Sequence, residues 1–266
     1  MISFAQDCLL VRRTSPIIHN ITNYVAMNLS ANALLAIGAS PLMSSEKEEM
    51  IEIVRRCDAL VINLGCLEKP QADAMRLAAE TAGRMHKPWV LDPAGVGISC
   101  LRTETAGLLV AQFHPAVIRG NASEIKTLSG ERECSRGLDS LVDSPDAVEH
   151  AVSLARSSGA VVVVSGPVDY ITDGTRVISV SNGSPLMSKV TAMGCTSSAL
   201  VGAFLAVDED PLHAASAAMA LMGVAGGRAA ACSRGPGSMV AEFLDFLAGM
   251  DPEEASKSIR YEQLSA

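Results

Sequence analysis

Small and polar residues lead into a long apolar segment between Lys189 and Leu205. The spacing of the apolar residues predicts a helix whose start contains Gly194 and Cys195. A helix N-terminus offers backbone N–H groups without intrahelical partners, and a glycine lets an anion approach them closely. The segment therefore predicts a phosphate site, with the Cys195 thiol where a substrate hydroxyl would meet the phosphoryl group. The alternative is a core helix that is capped by Thr or Ser and binds nothing.

Two carboxylates follow predicted strands. Asp92 ends one strand, and Glu124 lies in the first turn of a later predicted helix, close to Asn121. Together they offer the oxygen ligands that Mg²⁺ prefers. Alternatively, Glu124 only stabilises the start of its helix, and Asp92 with Pro93 only ends a strand.

A guanidinium and a hydroxyl could handle a phosphate near the same sheet edge. Arg119 carries a fixed charge and a forked set of donors that suits phosphate oxygens, although a structural ion pair is equally compatible with it. Ser165 and Gly166 could cradle a phosphate or a nucleoside, or could form an ordinary exit from a strand.

Other polar and sulfur-containing residues leave two interpretations open. Asn23 could bind a polar group of the substrate or cap its helix, and Met43 could contact a ligand or fill the core. His19 is typical of a structural histidine rather than a base. The segment Gly235–Ser238 is typical of a turn that caps the last helix.

Strand and helix patterns alternate along the chain. Strands are predicted at 58–64, 88–92, 116–119 and 160–164, and helices at 22–37, 70–85, from 122 and at 147–158. This alternation predicts a largely parallel sheet with helices on both faces. Ligands bind beyond the carboxyl ends of parallel strands, so the residues after each strand should share one edge.

The segment from Tyr170 to Val180 departs from this alternation. Asp173 and Gly174 predict a hairpin turn, so an antiparallel ribbon should lie at one edge of the sheet. Residues 191–231 predict two tightly packed, buried helices. No linker or repeat interrupts the pattern, so residues 1–266 are predicted to form a single domain.

Composition excludes several classes of protein. The chain has 266 residues, 48% of them hydrophobic, and a net charge of −8 with scattered basic residues, which argues against a nucleic-acid partner. Seven cysteines without CxxC spacing predict reduced thiols, mostly in the core, in a cytoplasmic protein. The N-terminus lacks the order of a signal peptide, and no uninterrupted apolar run indicates a membrane span.

Motifs of other nucleotide-dependent enzymes are missing. The sequence contains no Walker A motif, no G-x-G-x-x-G after its early strands and no zinc-ligand spacing. Phosphoryl transfer needs mainly positioning, Mg²⁺ and positive electrostatics, and the residues above supply these parts.

An ordered set of segments makes the chain resemble the hydroxyethylthiazole kinase family of the ribokinase-like superfamily. The segments are His19–Asn23, Gly38–Met43, Asn63–Gly65, Leu91–Gly97, Arg119–Glu124, Asp169–Gly174, Gly194–Cys195 and Gly235–Ser238. The resemblance implies a single-domain, three-layer α/β/α fold with a mostly parallel sheet. It also implies transfer of the γ-phosphate of ATP to 4-methyl-5-(2-hydroxyethyl)thiazole, a step of thiamine biosynthesis or salvage, by a homotrimer with sites between subunits.

The same resemblance implies a role for each site residue. Arg119, Ser165 and Gly194 would contact ATP, and Asn121, Asp92 and Glu124 would belong to the Mg²⁺–phosphate network, while Asn23, Met43 and Ala192 would line the thiazole pocket. Cys195 stands where many related sugar kinases carry an aspartate base. We expect the helix N-terminus to lower the pKa of its thiol, so that it helps to deprotonate or orient the alcohol without forming a covalent bond.

Two positions depart from the family pattern. Ala192 and Met193 replace the usual Gly-Thr before Gly194, which could narrow the anion loop, and Pro167 replaces a usual Glu of the metal–water network. The rival interpretations are another small-alcohol kinase, such as a hydroxymethylpyrimidine kinase, and a non-catalytic sensor of thiazole or nucleotide.

Overall fold

The computed structural model describes residues 4–130 and 144–264. The strands in these ranges are β1 (Ile17–Ile21), β2 (Ser40–Met43), β3 (Ala59–Asn63), β4 (Trp89–Asp92), β5 (Val117–Asn121), β6 (Val161–Ser165), β7 (Asp169–Thr172), β8 (Val177–Val180) and β9 (Tyr261–Leu264). The helices are α1 (Phe4–Thr14), α2 (Met27–Ile37), α3 (Met50–Arg56), α4 (Lys69–Arg84), α5 (Cys100–Phe113), α6 (Ala122–Leu128), α7 (Val148–Ser158), α8 (Met193–Leu205), α9 (Pro211–Cys232), α10 (Pro236–Gly249) and α11 (Pro252–Ser256).

All the strands belong to one sheet, in the order β2-β1-β3-β4-β5-β6-β7-β8-β9. The strands from β2 to β6 pair in parallel, and those from β6 to β9 pair antiparallel. The predicted parallel sheet with an antiparallel edge ribbon is therefore confirmed. Because strands β1 to β6 run in one direction, their carboxyl ends meet at one edge.

Helices cover both faces of the sheet, which gives three layers. The burial of β6 on both faces explains its continuous run of valine. Val161 and Val163 point into one core, and Val162 and Val164 point into the other. The first core is completed by α1, α2, α8, α9 and α10, and the second by α3 to α7. A strand that is buried on both faces needs apolar residues at every position.

The two buried helices predicted at 191–231 are α8 and α9. By length and composition alone, α9 is apolar enough to cross a membrane. Most of α9 is buried inside the protein, and this burial accounts for its apolar composition.

Two predicted boundaries were wrong. Helix α2 begins at Met27 and not at residue 22, because the backbone carbonyl of Asn23 accepts hydrogen bonds from Ala26 N and Met27 N in a preceding turn. The ribbon turn is longer than the Asp173-Gly174 pair, since Thr172 and Val177 are the last residues to face each other. The Asp173 carboxylate accepts the backbone N–H groups of Thr175 and Arg176, which holds this wider loop.

The prediction that most cysteines fill the core was also wrong. Cys8 and Cys57 are buried, Cys195 is half-buried, and three others (Cys66, Cys100 and Cys232) are exposed. All six are free thiols, as the sequence predicts, and Cys134 lies outside the described residues.

Candidate active site

The carboxyl edge of the parallel strands brings most of the predicted site residues together. Asn23 follows β1, Asp92 ends β4, Arg119 lies near the end of β5, and Ser165 ends β6. The start of α8 lies against this row, because Gly194 packs on Arg119 and Cys195 accepts a hydrogen bond from Asn23.

Arg119 connects three of these elements. Its Nη2 donates to Ser165 Oγ at 2.6 Å, and its Nη1 lies 3.9 Å from Asp92 Oδ2. Its side chain is 11% exposed, and within the described residues Nε is buried without a hydrogen-bond partner. Both interpretations of Arg119 therefore have support, since it makes a long ion pair and still holds a donor that an anion could use.

Helix α8 begins without a side-chain cap, so the alternative of a Thr- or Ser-capped start is wrong. Its N-cap residue, Ala192, adopts a left-handed backbone conformation with φ 69°. The nearby hydroxyls bond elsewhere: Ser197 Oγ donates to the Gly194 carbonyl at 2.7 Å, and Ser198 Oγ donates to Asp92 Oδ2 at 2.7 Å. The first backbone N–H groups of α8 thus meet no capping side chain, as an anion site requires.

Glu124 is the buried partner in a capping box at the start of α6. Its Oε2 accepts Asn121 N at 2.8 Å, and Asn121 Oδ1 accepts Glu124 N at 2.9 Å. Its Oε1 accepts Gly95 N at 2.9 Å, which ties the loop after β4 to this helix. Burial, reinforced by the charge of Asp92, raises the pKa of Glu124 to about 7.

Asp92 and Glu124 are both buried, and they lie close enough for the charge of Asp92 to raise the pKa of Glu124. A bound cation would offset this repulsion between the two carboxylates. Burial also raises the pKa of Asp92, against the charge of Arg119. Within residues 4–130 and 144–264, no group of three His, Cys, Asp or Glu side chains forms a metal cluster. Mg²⁺ that is shared with nucleotide phosphates needs only one or two carboxylates, so these residues fit that ion.

Asn23 holds the turn before α2 rather than capping the helix itself, whose N-cap residue is Ala26, and it also reaches the predicted catalytic thiol. Its Oδ1 accepts Ala26 N at 3.0 Å, which stabilises the turn before α2. Its Nδ2 donates to Asn63 Oδ1 at 2.9 Å and to Cys195 Sγ at 3.4 Å. The first helix turn after β1 and the start of α8 are therefore joined through one amide.

The expected lowering of the Cys195 pKa is wrong. Burial raises the pKa of this thiol to about 11, and the charge of Asp92 adds to the effect. The hydrogen bond from Asn23 and the charge of Arg119 lower the pKa but do not offset burial. Cys195 is therefore a neutral thiol at neutral pH, able to form a hydrogen bond but not populated as a thiolate.

Ser165 is held in place by its neighbours at the end of β6. It accepts Arg119 Nη2 and donates to the carbonyl of Gly120 at 3.2 Å. The next amide, Gly166 N, donates to Asp169 Oδ1 at 3.0 Å, and burial raises the pKa of Asp169 to about 7. Asp169 thus places a carboxyl group beside the loop that contains Gly166 and Pro167.

Met43 and His19 stand outside this hydrogen-bonded group. Met43 ends β2, the edge strand, and packs half-buried against the core that also contains α8 and α9. The buried His19 ring places Nε2 3.1 Å from the Ser44 carbonyl, and burial lowers its pKa to about 4. The burial of His19 and its contact with Ser44 favour the structural interpretation, and a thiazole contact by Met43 remains a prediction. The prediction that Gly235–Ser238 forms a turn before the last helix was wrong, because Pro236 to Ser238 form the first turn of α10 and α11 follows it. Within that first turn, Ser238 Oγ accepts Arg234 N at 2.9 Å.

Three residues that shape the site have no role predicted from the sequence. Asn63 accepts from Asn23, Asp169 holds the Gly166 amide, and Arg102 donates to the carbonyls of Leu64 and Ala94. Asn63 and Asp169 lie in segments that carry the family resemblance, which was the available signal. No sequence pattern around Arg102 predicts its role, because both of its acceptors are backbone carbonyls in the loops after β3 and β4.

Solved structures share this architecture. A hydroxyethylthiazole kinase protein from Pyrococcus horikoshii covers 100% of both chains at 36% identity, with a TM-score of 0.92. A ribokinase-like superfamily protein from Enterococcus faecalis matches at 14% identity with a TM-score of 0.64, over 92% of this chain and 88% of that one. The nine-stranded sheet with its covered faces is thus a ribokinase-like fold.

Sequence relatives narrow the assignment. The profile of the hydroxyethylthiazole kinase family matches residues 9–253. A hydroxyethylthiazole kinase from Granulibacter bethesdensis is 51% identical over 242 residues, which are 91% of this chain and 88% of that one. Another from Desulfotalea psychrophila is 43% identical over 262 residues, which are 98% of this chain and 96% of that one. The chain belongs to the hydroxyethylthiazole kinase family.

Proposed function

We propose that the protein transfers the γ-phosphoryl group of ATP to the hydroxyl of 4-methyl-5-(2-hydroxyethyl)thiazole, in thiamine biosynthesis or salvage. The observation that carries this proposal is the packing of Gly194, at the uncapped start of α8, directly against Arg119. Backbone N–H groups and a guanidinium then lie together beside Cys195. Phosphoryl transfer requires such a group of donors around the transferring phosphoryl oxygens.

In the proposed reaction, the hydroxyl oxygen forms a bond to the γ-phosphorus. The bond from that phosphorus to the bridging oxygen of ADP breaks, its electron pair stays on ADP, and the hydroxyl proton is released to solvent. Arg119, Ser165 and the first amides of α8 hold phosphate oxygens, with Asn121 at the start of α6 next to them. Asn23, Met43 and Ala192 hold the thiazole. The neutral Cys195 thiol orients the hydroxyl, a role that its raised pKa allows.

Asp92 and Glu124 would hold Mg²⁺, which when bound neutralises phosphate charge. Support comes from the burial of both carboxylates and from the raised pKa of Glu124, to which the charge of Asp92 contributes. Replacing Glu124 by Gln keeps the shape of the side chain and removes its charge. We expect this variant to need more Mg²⁺ for half-maximal rate, and an unchanged metal titration would assign Glu124 to helix capping alone.

The decisive assay incubates purified protein with Mg-ATP and either the thiazole alcohol or hydroxymethylpyrimidine, and detects the phosphate ester by mass spectrometry. Ester from the thiazole supports the proposal, and ester from the pyrimidine alone supports the rival kinase. Binding of thiazole and ATP without ester would identify a sensor.

Cys195→Ser should lower kcat without abolishing it, and Cys195→Asp should stay active because a carboxylate accepts the proton. Cys232→Ser, at the exposed end of α9, is the matched control.

A homotrimer in the cytoplasm completes the proposal. Tyr24 and Val25 directly follow Asn23 and are 68% and 57% exposed, so a partner subunit could cover apolar surface beside the site. Free thiols are typical of a reducing compartment. Sedimentation at working concentration tests the assembly, and a fully active monomer would show that shared sites are not required.

A further inference from the structure

The side-chain amide of Asn63 has a fixed orientation at the end of β3. Its Oδ1 accepts two hydrogen bonds, from Gly65 N and from Asn23 Nδ2, both at 2.9 Å. The Asn23 amide is itself oriented, because its own Oδ1 accepts Ala26 N at 3.0 Å. These donors occupy the oxygen of Asn63, so its Nδ2 must point the other way.

Asn63 Nδ2 lies beside Cys195 and Asp92 in the site, and neither side chain holds it in a well-formed hydrogen bond. The Asn63 amide lies close enough to Cys195 and Asp92 to lower the pKa of both groups. Yet among the described residues no atom meets this nitrogen in hydrogen-bond geometry, and Asn63 is only 1% exposed. A buried N–H donor without an acceptor is costly, so a folded protein keeps one where a ligand supplies the acceptor.

The loop after β3 packs tightly against the amide pair of Asn23 and Asn63. A β-carbon at Gly65 would lie 2.4 Å from Asn23 Nδ2 and 2.9 Å from Asn63 Oδ1, so a side chain there would displace the amide pair. Arg102 donates to the carbonyl of Leu64 and, at 2.7 Å, to that of Ala94. It thereby fixes the loops that follow β3 and β4, and with them the position of Asn63.

We propose that Asn63 Nδ2 donates a hydrogen bond to the hydroxyl oxygen of the acceptor alcohol. This inference rests on the proposed function, in which the reacting hydroxyl lies beside Cys195. One lone pair of the hydroxyl oxygen accepts from Asn63, and the other is directed at the γ-phosphorus. The rigid amide pair thus holds the oxygen in the attacking geometry, and Asn63 is a catalytic residue of the reaction.

A first test uses Asn63→Asp, which keeps an oxygen for Asn23 and Gly65, removes the N–H donor and adds one negative charge. We expect kcat to fall about 100-fold, the size of effect seen when a donor at a reacting oxygen is lost. Circular dichroism checks that the variant is folded. A folded variant whose kcat stays within about threefold of the original value would overturn the proposal.

A second test needs no variant. The side-chain amide signals of asparagine are recorded by ¹⁵N NMR on the unmodified protein, with the thiazole alcohol or with the 5-ethyl analogue that lacks the hydroxyl. We expect the Asn63 NH₂ protons to shift downfield with the alcohol only. The Asn20 amide is the internal control, because its Nδ2 donates to the Ile18 carbonyl at 2.9 Å and should not move.

The outcomes separate this inference from the proposed function. Equal shifts with both ligands, or no shift with either, overturn the Asn63 contact even if the phosphate ester is formed. A shift of the Asn63 NH₂ protons with the alcohol but not with the 5-ethyl analogue supports the contact even if no ester appears. In that case the proposed kinase activity fails, and the hydrogen bond from Asn63 to the hydroxyl remains supported.

Discussion

Gly194 and Arg119 are packed so tightly that a β-carbon at position 194 would lie 2.9 Å from Arg119 Nη1. Alanine is a better helix former than glycine, so Gly194→Ala should not destabilise α8. The added methyl group should nevertheless displace the guanidinium and raise the Kd for ATP about tenfold, as expected when a charge-assisted contact is lost. Isothermal titration calorimetry measures the change.

The matched control for Gly194→Ala is Gly107→Ala in α5, where an added β-carbon meets no atom within 4 Å. It should raise the free energy of unfolding by up to ~1 kcal/mol and leave ATP affinity unchanged. Equal ATP affinity in both variants would show that Arg119 does not need the space at position 194.

Ala192 adopts φ 69° at the N-cap of α8, a left-handed conformation that disfavours residues with a β-carbon. Ala192→Gly should relieve this strain and raise the free energy of unfolding by about 1 kcal/mol, as measured by urea denaturation. The control is Ala206→Gly at the other end of the same helix, where φ is −71° and glycine should bring no gain. A loss of stability in Ala192→Gly would contradict the strain argument.

The thiol of Cys195 should react slowly with iodoacetamide, because burial raises its pKa to about 11 and the thiolate is the reactive form. Near neutral pH the exposed Cys66, Cys100 and Cys232 should be alkylated first. The rate at Cys195 should keep rising as the pH approaches its pKa. Peptide mass spectrometry follows each site, and labelling of Cys195 as fast as Cys232 at neutral pH would indicate a thiolate.

Asp169 should make the protein less stable as the pH rises through the acidic range. Its folded-state pKa is raised to about 7 from an ordinary 3.8, so between these values the folded state holds a proton that the unfolded state has lost. The free energy of unfolding therefore falls as the pH rises from about 4 to above 7. Asp169→Asn keeps an acceptor for Gly166 and should flatten this slope by up to ~1.4 kcal/mol per pH unit.

Urea denaturation at several pH values measures that slope. Glu124, whose pKa is also raised to about 7, contributes its own part and remains in the variant. Asp58→Asn is the control, since Asp58 is exposed and likewise accepts a backbone N–H, from Ile17 at 2.8 Å. An identical pH slope in Asp169→Asn and the original protein would show that Asp169 is not a buried acid.

Much of the fold followed from local patterns in the sequence. The run from Val161 to Val164 indicated a strand buried on both faces, and Gly38 marked the end of α2 in a left-handed conformation. Helix α1 and strand β9 were not predicted. Strand β9 has four residues and is mostly exposed, so only its pairing with β8 gives it a strand conformation.

The sequence alone also determined which polar residues gather at one sheet edge, because parallel strands place their carboxyl ends together. The tertiary structure decided what each of them does there. Asn23 and Cys195 are 172 residues apart in the chain and meet through one hydrogen bond. The raised pKa of Cys195, and the lack of a partner for Asn63 Nδ2 among the described residues, arise from burial by distant segments. Periodicity is a local property that a sequence displays directly, whereas desolvation and contact between remote residues exist only once the chain has folded.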